Sequence, residues 1–181
     1  VSDAGSMLDG LDTIDWATLT HAHGSAQDLP DLIRQRASAT KGAVANADHE
    51  FYGNIWHQGT IYPATPYASR FLVEILLAEQ TLDRADLAIL LGTLARGSAH
   101  PSDGADLANQ TIAVISQQET RLWDLLGSDG QLGVAMPYLL AGLPCAAARI
   151  QQQFPQQIGR ATDRWTIASL VLALGDVTQG S

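Results

Sequence analysis

The residues of this chain best equipped for chemistry are crowded into DHEFYGNIWHQGTIYPAT, Asp48 to Thr65. Two histidines, an acid pair and an asparagine share that stretch with Phe51, Tyr52, Trp56 and Tyr62, in a chain with only eleven aromatic residues in all. Helical geometry limits what they can do. His49 and His57 are eight positions apart, about 12 Å along a helix axis and turned by about 80°. They therefore cannot share one metal ion in the side-by-side manner of an i, i+4 pair. Glu50 and Asn54 do form such a pair, and His57 lies nearly on the same line one turn further. A polar stripe Glu50–Asn54–His57 beside an aromatic line Tyr52–Trp56 suits two purposes. It could face a ligand, with Glu50 or His57 as the acid–base group of a cofactor-free enzyme. It could equally let Asn54 and His57 hydrogen-bond backbone groups of the 58–65 turn while the aromatics pack.

A second polar cluster is THAHG, Thr20 to Gly24. His21 and His23 face one way only if the backbone there is extended, and with Trp16 they could line the same end of a groove as His57. The candidate ligand- or partner-binding set is thus Trp16, His21, His23, Glu50, Asn54, Trp56, His57 and Tyr62. No G-x-S-x-G turn and no glycine-rich phosphate loop occurs, and no cofactor or metal site is expected. Cys145 is the only cysteine, which excludes an internal disulfide and a multi-cysteine zinc site. Its run, LPCAAARI, reads as a buried structural thiol. Arg34 and Arg36 read as a small basic spot on the first helix.

The elements that must position these residues are helical. SAQDLPDLIRQRAS reads as a helix with Ser25 as its cap and Asp28 three positions on. A second helix is expected from about Ala43 to Gln58, with Gly59 as its left-handed end. PYASRFLVEILLAEQ, RADLAILLGTLARG (capped by Asp83), Ala105–Leu126, QLGVAMPYLLAGL, CAAARIQQQF and DRWTIASLVLALG complete about eight helices. GSAHPSDG and QQQFPQQIGR read as loops, and no period-2 segment suggests a sheet. Pro30, Pro66 and Pro137 each read as the start of a helix. Their separations of 36 and 71 residues are close to one and two units of a helical-hairpin repeat. The expected fold is all-α: a short right-handed α-solenoid of antiparallel helix pairs, one domain over 1–181 with an irregular lead-in over 1–24.

Charge bears on the partner. Nineteen acidic residues against ten basic ones give a net charge of −9. That field repels nucleic acid and anionic lipid and favours a basic protein. No apolar run reaches the length of a membrane span, and the polar, acidic start is unlike a signal peptide. A cytoplasmic protein is the expectation.

The segments IDWATLTHAHGSAQDLPDLIRQRAS, FYGNIWHQGTIYPAT, PYASRFLVEILL, DRADLAILLGTLARG and WTIASLVLALG resemble HEAT-repeat proteins, in particular bacterial ones. The likeness covers most of the chain, more loosely from His100 to Gly130. In such relatives the helix before FYGNIWHQGTIYPAT is Glu-rich with a Trp; here it reads AVANADHE. The resemblance implies an α-solenoid binding something on its concave face, with no named activity. A protein-binding module, immunity-like or a scaffold, is therefore the first functional expectation. An enzyme or small-molecule binder with its pocket around 48–65 is the alternative.

Overall fold

The computed structural model describes residues 7–38, 40–100 and 106–179. The first six residues of the expected lead-in, and 101–105 of the expected loop after Gly97, lie outside these. Among the described residues the chain is mainly helical, with nine α-helices. They are α1 (Leu29–Arg36), α2 (Lys41–Asn54), α3 (Thr65–Leu77), α4 (Arg84–Leu94), α5 (Leu107–Ser116), α6 (Glu119–Asp124), α7 (Gln131–Ala141), α8 (Ala147–Arg160) and α9 (Arg164–Gln179). Short 3₁₀ turns at Leu11–Thr13 and Trp16–Thr18 precede them.

The packing follows the apolar spacing of each helix. Leu29, Leu32, Ile33 and Arg36 form the buried side of α1, and α2 buries Val44, Ala47, Phe51 and Asn54. Helix α3 is buried nearly all round, because α1, α4 and α5 all pack on it. The helices fall into two rows: α1, α3 and α5 are consecutive neighbours in one, and α2, α4, α7 and α9 in the other. Helix α8 closes on α9 and α7. Between α4 and α7 the backbones meet so closely that only glycine fits. A Cβ on Gly92 would lie 2.7 Å from the Tyr138 ring and 3.1 Å from the Leu139 Cα.

Five strands of two residues each also occur: β1 (Thr20–His21), β2 (Gly24–Ser25), β3 (Trp56–His57), β4 (Thr60–Ile61) and β5 (Ser98–Ala99). β1 and β2 form one antiparallel hairpin, β3 and β4 a second, and β5 joins β4 in parallel. This corrects the expectation of no sheet. A two-residue strand is too short to show alternation, so periodicity could not find it.

Other boundaries are corrected as well. Helix α2 stops at Asn54 rather than Gln58, because the chain turns into β3. Gly59, with φ +90°, is then the second residue of a two-residue hairpin turn with Gln58, at φ +52°. Two positive φ values make a turn whose twist suits paired strands. Ser25 lies in β2 instead of capping α1, and its hydroxyl donates to the Ala17 carbonyl at 3.3 Å. Asp83 occupies the N-terminal cap position of α4, but its side chain makes no capping bond. The segment 105–126 divides into α5, α6 and the start of a 3₁₀ turn.

Pro30 and Pro66 do stand in first turns, where a missing N–H costs nothing, but Pro137 is inside α7. QQQFPQQIGR belongs to α8 and is not a loop. Pro155 has no N–H to offer the Gln151 carbonyl, and both residues are exposed, on the side of the helix where a missing bond costs least. Cys145 is exposed on the turn before α8, not buried.

Candidate functional site

The two hairpins lie side by side, and their junction gathers three of the histidines. The Ala22 amide donates to the Asn54 carbonyl at 2.9 Å, and the Ala64 amide to the Thr20 carbonyl at 3.0 Å. The second hairpin is tied onward by the Ser98 amide, which donates to the Gly59 carbonyl at 2.9 Å. These backbone bonds place the His23 ring 6.0 Å from that of His57 and 6.1 Å from that of His21, edge to face in both cases.

His21 is buried, and both ring nitrogens are occupied. Its Nδ1 accepts the His23 amide at 3.0 Å, so the ring proton sits on Nε2 and is donated to Asp28 Oδ1 at 3.0 Å. The other Asp28 oxygen accepts from Asn54 Nδ2 at 3.4 Å. Asp28 thus stands at the start of α1 yet makes no capping bond there. It reaches across to join the first hairpin to the end of α2. A histidine held this way is a latch. Taking a proton at Nδ1 would break the bond to the His23 amide, so His21 is poorly placed to act as a base.

His23 and His57 are exposed, and no carboxylate orients either ring among the described residues. Glu50 sits one helical turn before Asn54 and enters none of the bonds that hold the cluster. The expectation that Asn54 and His57 tie down the following turn is corrected, because Thr65 does this. Its buried hydroxyl accepts the Tyr62 amide at 2.9 Å and donates to the Ile55 carbonyl at 2.7 Å. Because the helix ends at Asn54, the expected polar stripe is broken and His57 stands on a strand. Trp56 packs edge to face on Tyr52, with centroids 5.9 Å apart.

Trp16 lines no groove. It is buried against Phe71 and Tyr67, with its indole N–H donated to the Leu11 carbonyl at 2.8 Å. No group of three or more His, Cys, Asp or Glu side chains that could hold a metal ion occurs among the described residues.

Arg36 and Asp48 form a second charged centre that sequence reasoning missed. Arg36 is fully buried rather than a surface basic spot. Its Nε lies 2.6 Å from Asp48 Oδ1, and its terminal nitrogens donate to the Leu82 and Asp83 carbonyls at 3.0 and 2.9 Å. The guanidinium therefore ties α1 to α2 and to the turn before α4. The signal was present in the spacing: Arg36 is three residues after Ile33 and seven after Leu29, on the buried stripe. Burial pushes the Asp48 carboxyl up to about 6, against the opposing pull of Arg36 and with help from Asp86 and Asp83. Burial likewise raises the Tyr52 phenol.

Two clefts lie away from the 48–65 segment. One of about 670 Å³ is walled by Ser128, Asp129, Gln131, Val134, Asp163 and Trp165, where α7 and α9 begin. Another, about 270 Å³, lies between Trp123 and Leu170 beside α8. No single helix among the described residues is long and apolar enough to cross a membrane. Set against known proteins, the chain matches no family model, no curated protein and no solved structure.

Proposed function

We propose that the chain is a short right-handed α-solenoid of the HEAT-like type that holds a protein partner on its concave or edge surface. The observation that carries this reading is the two-row order of helices, α1–α3–α5 against α2–α4–α7–α9. Successive helix pairs stacked in that order resemble solenoid units, each burying its apolar side on the next. The recurrence of Gly24-Ser25, Gly59-Thr60 and Gly97-Ser98 at or just before the short strands adds support.

The partner is a basic protein. Asp83 and Asp86 are exposed and close enough to Asp48 to raise its carboxyl, so this side of α2 and α4 concentrates negative charge in a chain already at −9. An immunity-like or scaffold role in the cytoplasm fits such a surface. The polar cluster at the hairpins belongs to this reading as architecture: His21, Asp28, Asn54 and Thr65 spend their hydrogen bonds on one another and on the backbone.

The test is affinity capture at native salt, comparing the native chain with Asp83→Asn/Asp86→Asn and with His57→Ala. The expected result is a salt-sensitive protein partner retained by the native chain and by His57→Ala, and lost by the double variant. Capture of no protein overturns the proposal, and so does a partner that the double variant holds equally well.

A further inference from the structure

Among the described residues helix α9 packs on α7, its neighbour in the row α2–α4–α7–α9, and on α8. It buries Leu170, Ala173 and Val177 toward α7 and α8, and turns the opposite side outward. That outward side is apolar. Trp165, Val171 and Leu172 are 61%, 50% and 70% exposed, and Ala168 is exposed between them. Between Trp165 and Gly175 the helix carries no charged residue. Its charges stand at the two ends: Arg164, whose guanidinium lies 4.9 Å from the Trp165 ring centre, and Asp176, 3.3 Å from Arg96.

We propose that this face of α9 is the seat of a second copy of the chain, packed antiparallel about a two-fold axis at the level of Leu170. The pattern of the helix is self-complementary about that level. In the antiparallel order Trp165 of one copy stands opposite Gly175 of the other, and Leu172 opposite Ala168, so each large side chain faces a small one. Trp165 then enters the hollow between Leu172, Gly175 and Gln179 of the other copy, the spacing at which a helix accepts a knob. A Cβ added at Gly175 would meet nothing within 4 Å, so the space above it is open. The same order brings Arg164 of each copy to the level of Asp176 of the other, whereas a parallel order would set like charges together. Unlike a partner of different sequence, a second copy brings the complementary pattern with it.

This inference does not rest on the proposed partner binding, which uses the carboxylates of α2 and α4. The experiment is sedimentation equilibrium of the full chain under reducing conditions, which keep Cys145 from cross-linking. The concentration series runs from about 1 to 200 µM, the range in which a small apolar interface dissociates. The expected mass rises from 19.3 kDa to twice that value. Leu172→Glu should stay monomeric over the whole series, its dissociation constant weakened at least tenfold, and it should melt with the native chain at the dilute end, where both are monomers, because Leu172 is 70% exposed. In a Cys145→Ser background, a mixture of Ala168→Cys and Leu172→Cys chains should cross-link more than either chain alone. A monomer at every concentration overturns the proposal and leaves the face to another helix or partner. A dimer indifferent to Leu172→Glu, or cross-linking no greater in the mixture, overturns it as well.

Discussion

Arg36→Met should be among the most damaging single substitutions in this chain. The methionine fills most of the space of the arginine stem, so the loss is mainly polar. Asp48, with its side chain 15% exposed, is left beside an apolar group. The Leu82 and Asp83 carbonyls lose their donors at 3.0 and 2.9 Å. Removing one partner of a buried ion pair costs about 3–5 kcal/mol. For a chain of this size that lowers the melting temperature by roughly 6–20 °C. A double-mutant cycle separates the terms. Arg36→Met/Asp48→Leu removes the stranded carboxylate and should recover about 1–3 kcal/mol, while the two unpaired carbonyls keep it below the native chain. Arg36→Lys should recover little, because one ammonium cannot reach a carboxylate and two carbonyls in the fork geometry of a guanidinium. Urea unfolding followed by circular dichroism measures the native chain, Arg36→Met, Asp48→Leu, the double variant and Arg36→Lys. A cost under about 1 kcal/mol for Arg36→Met, or strict additivity in the cycle, would refute the reasoning.

The same pair sets a pH dependence. The folded chain holds the Asp48 proton more tightly than the unfolded chain, so this group's contribution is fully present below about pH 4 and is lost as pH rises through about 6. Relative to Asp48→Asn, the native chain should lose about 1–2 kcal/mol between pH 4 and pH 7, a figure reduced for residual solvent screening; parallel stability curves would contradict this. At the hairpins, His21→Ala should cost about 1–2 kcal/mol by freeing Asp28 and the His23 amide, while His57→Ala stays within about 0.5 kcal/mol. Thermal melts of the two variants decide between a latch and an idle cluster. Thr65→Val keeps the shape but removes the hydroxyl that accepts the Tyr62 amide and donates to the Ile55 carbonyl, for a loss of about 1–3 kcal/mol in the same melts. Gly92→Ala should cost about 1–3 kcal/mol by driving a methyl into Tyr138, and an unchanged melting point would show that α4 and α7 are not in close contact.

The helices were legible wherever one side had to be apolar. Leu29, Leu32 and Ile33 mark the inner side of α1, and the dense aliphatics of RFLVEILL mark α3 as central. The strands were not legible, because two residues carry no period and their pairing depends on neighbours far away in sequence: Thr60 meets Ser98 across 38 positions. The same distance effect hid the roles of polar residues. Asp28 reads locally as a capping acid, but its partners are His21 and Asn54. Arg36 reads as surface charge until its place on the buried stripe of α1 is taken at face value. Pro137 reads as the start of a helix and Pro155 as part of a loop, because proline is favoured in first turns and disfavoured in helix interiors. Here α7 carries one through its interior, and α8 carries the other on its exposed side. The dense chemistry of 48–65 was real as composition, but the end of α2 at Asn54 divides it between a helix and a hairpin.

Hydrogen–deuterium exchange of the chain with its captured partner tests the account most directly. The proposed function predicts new protection on α2 and α4 around Asp48, Asp83 and Asp86, with the two hairpins unchanged from the free chain. Protection confined to residues 20–25 and 56–61 would contradict it and return the histidine cluster to the role of a binding site.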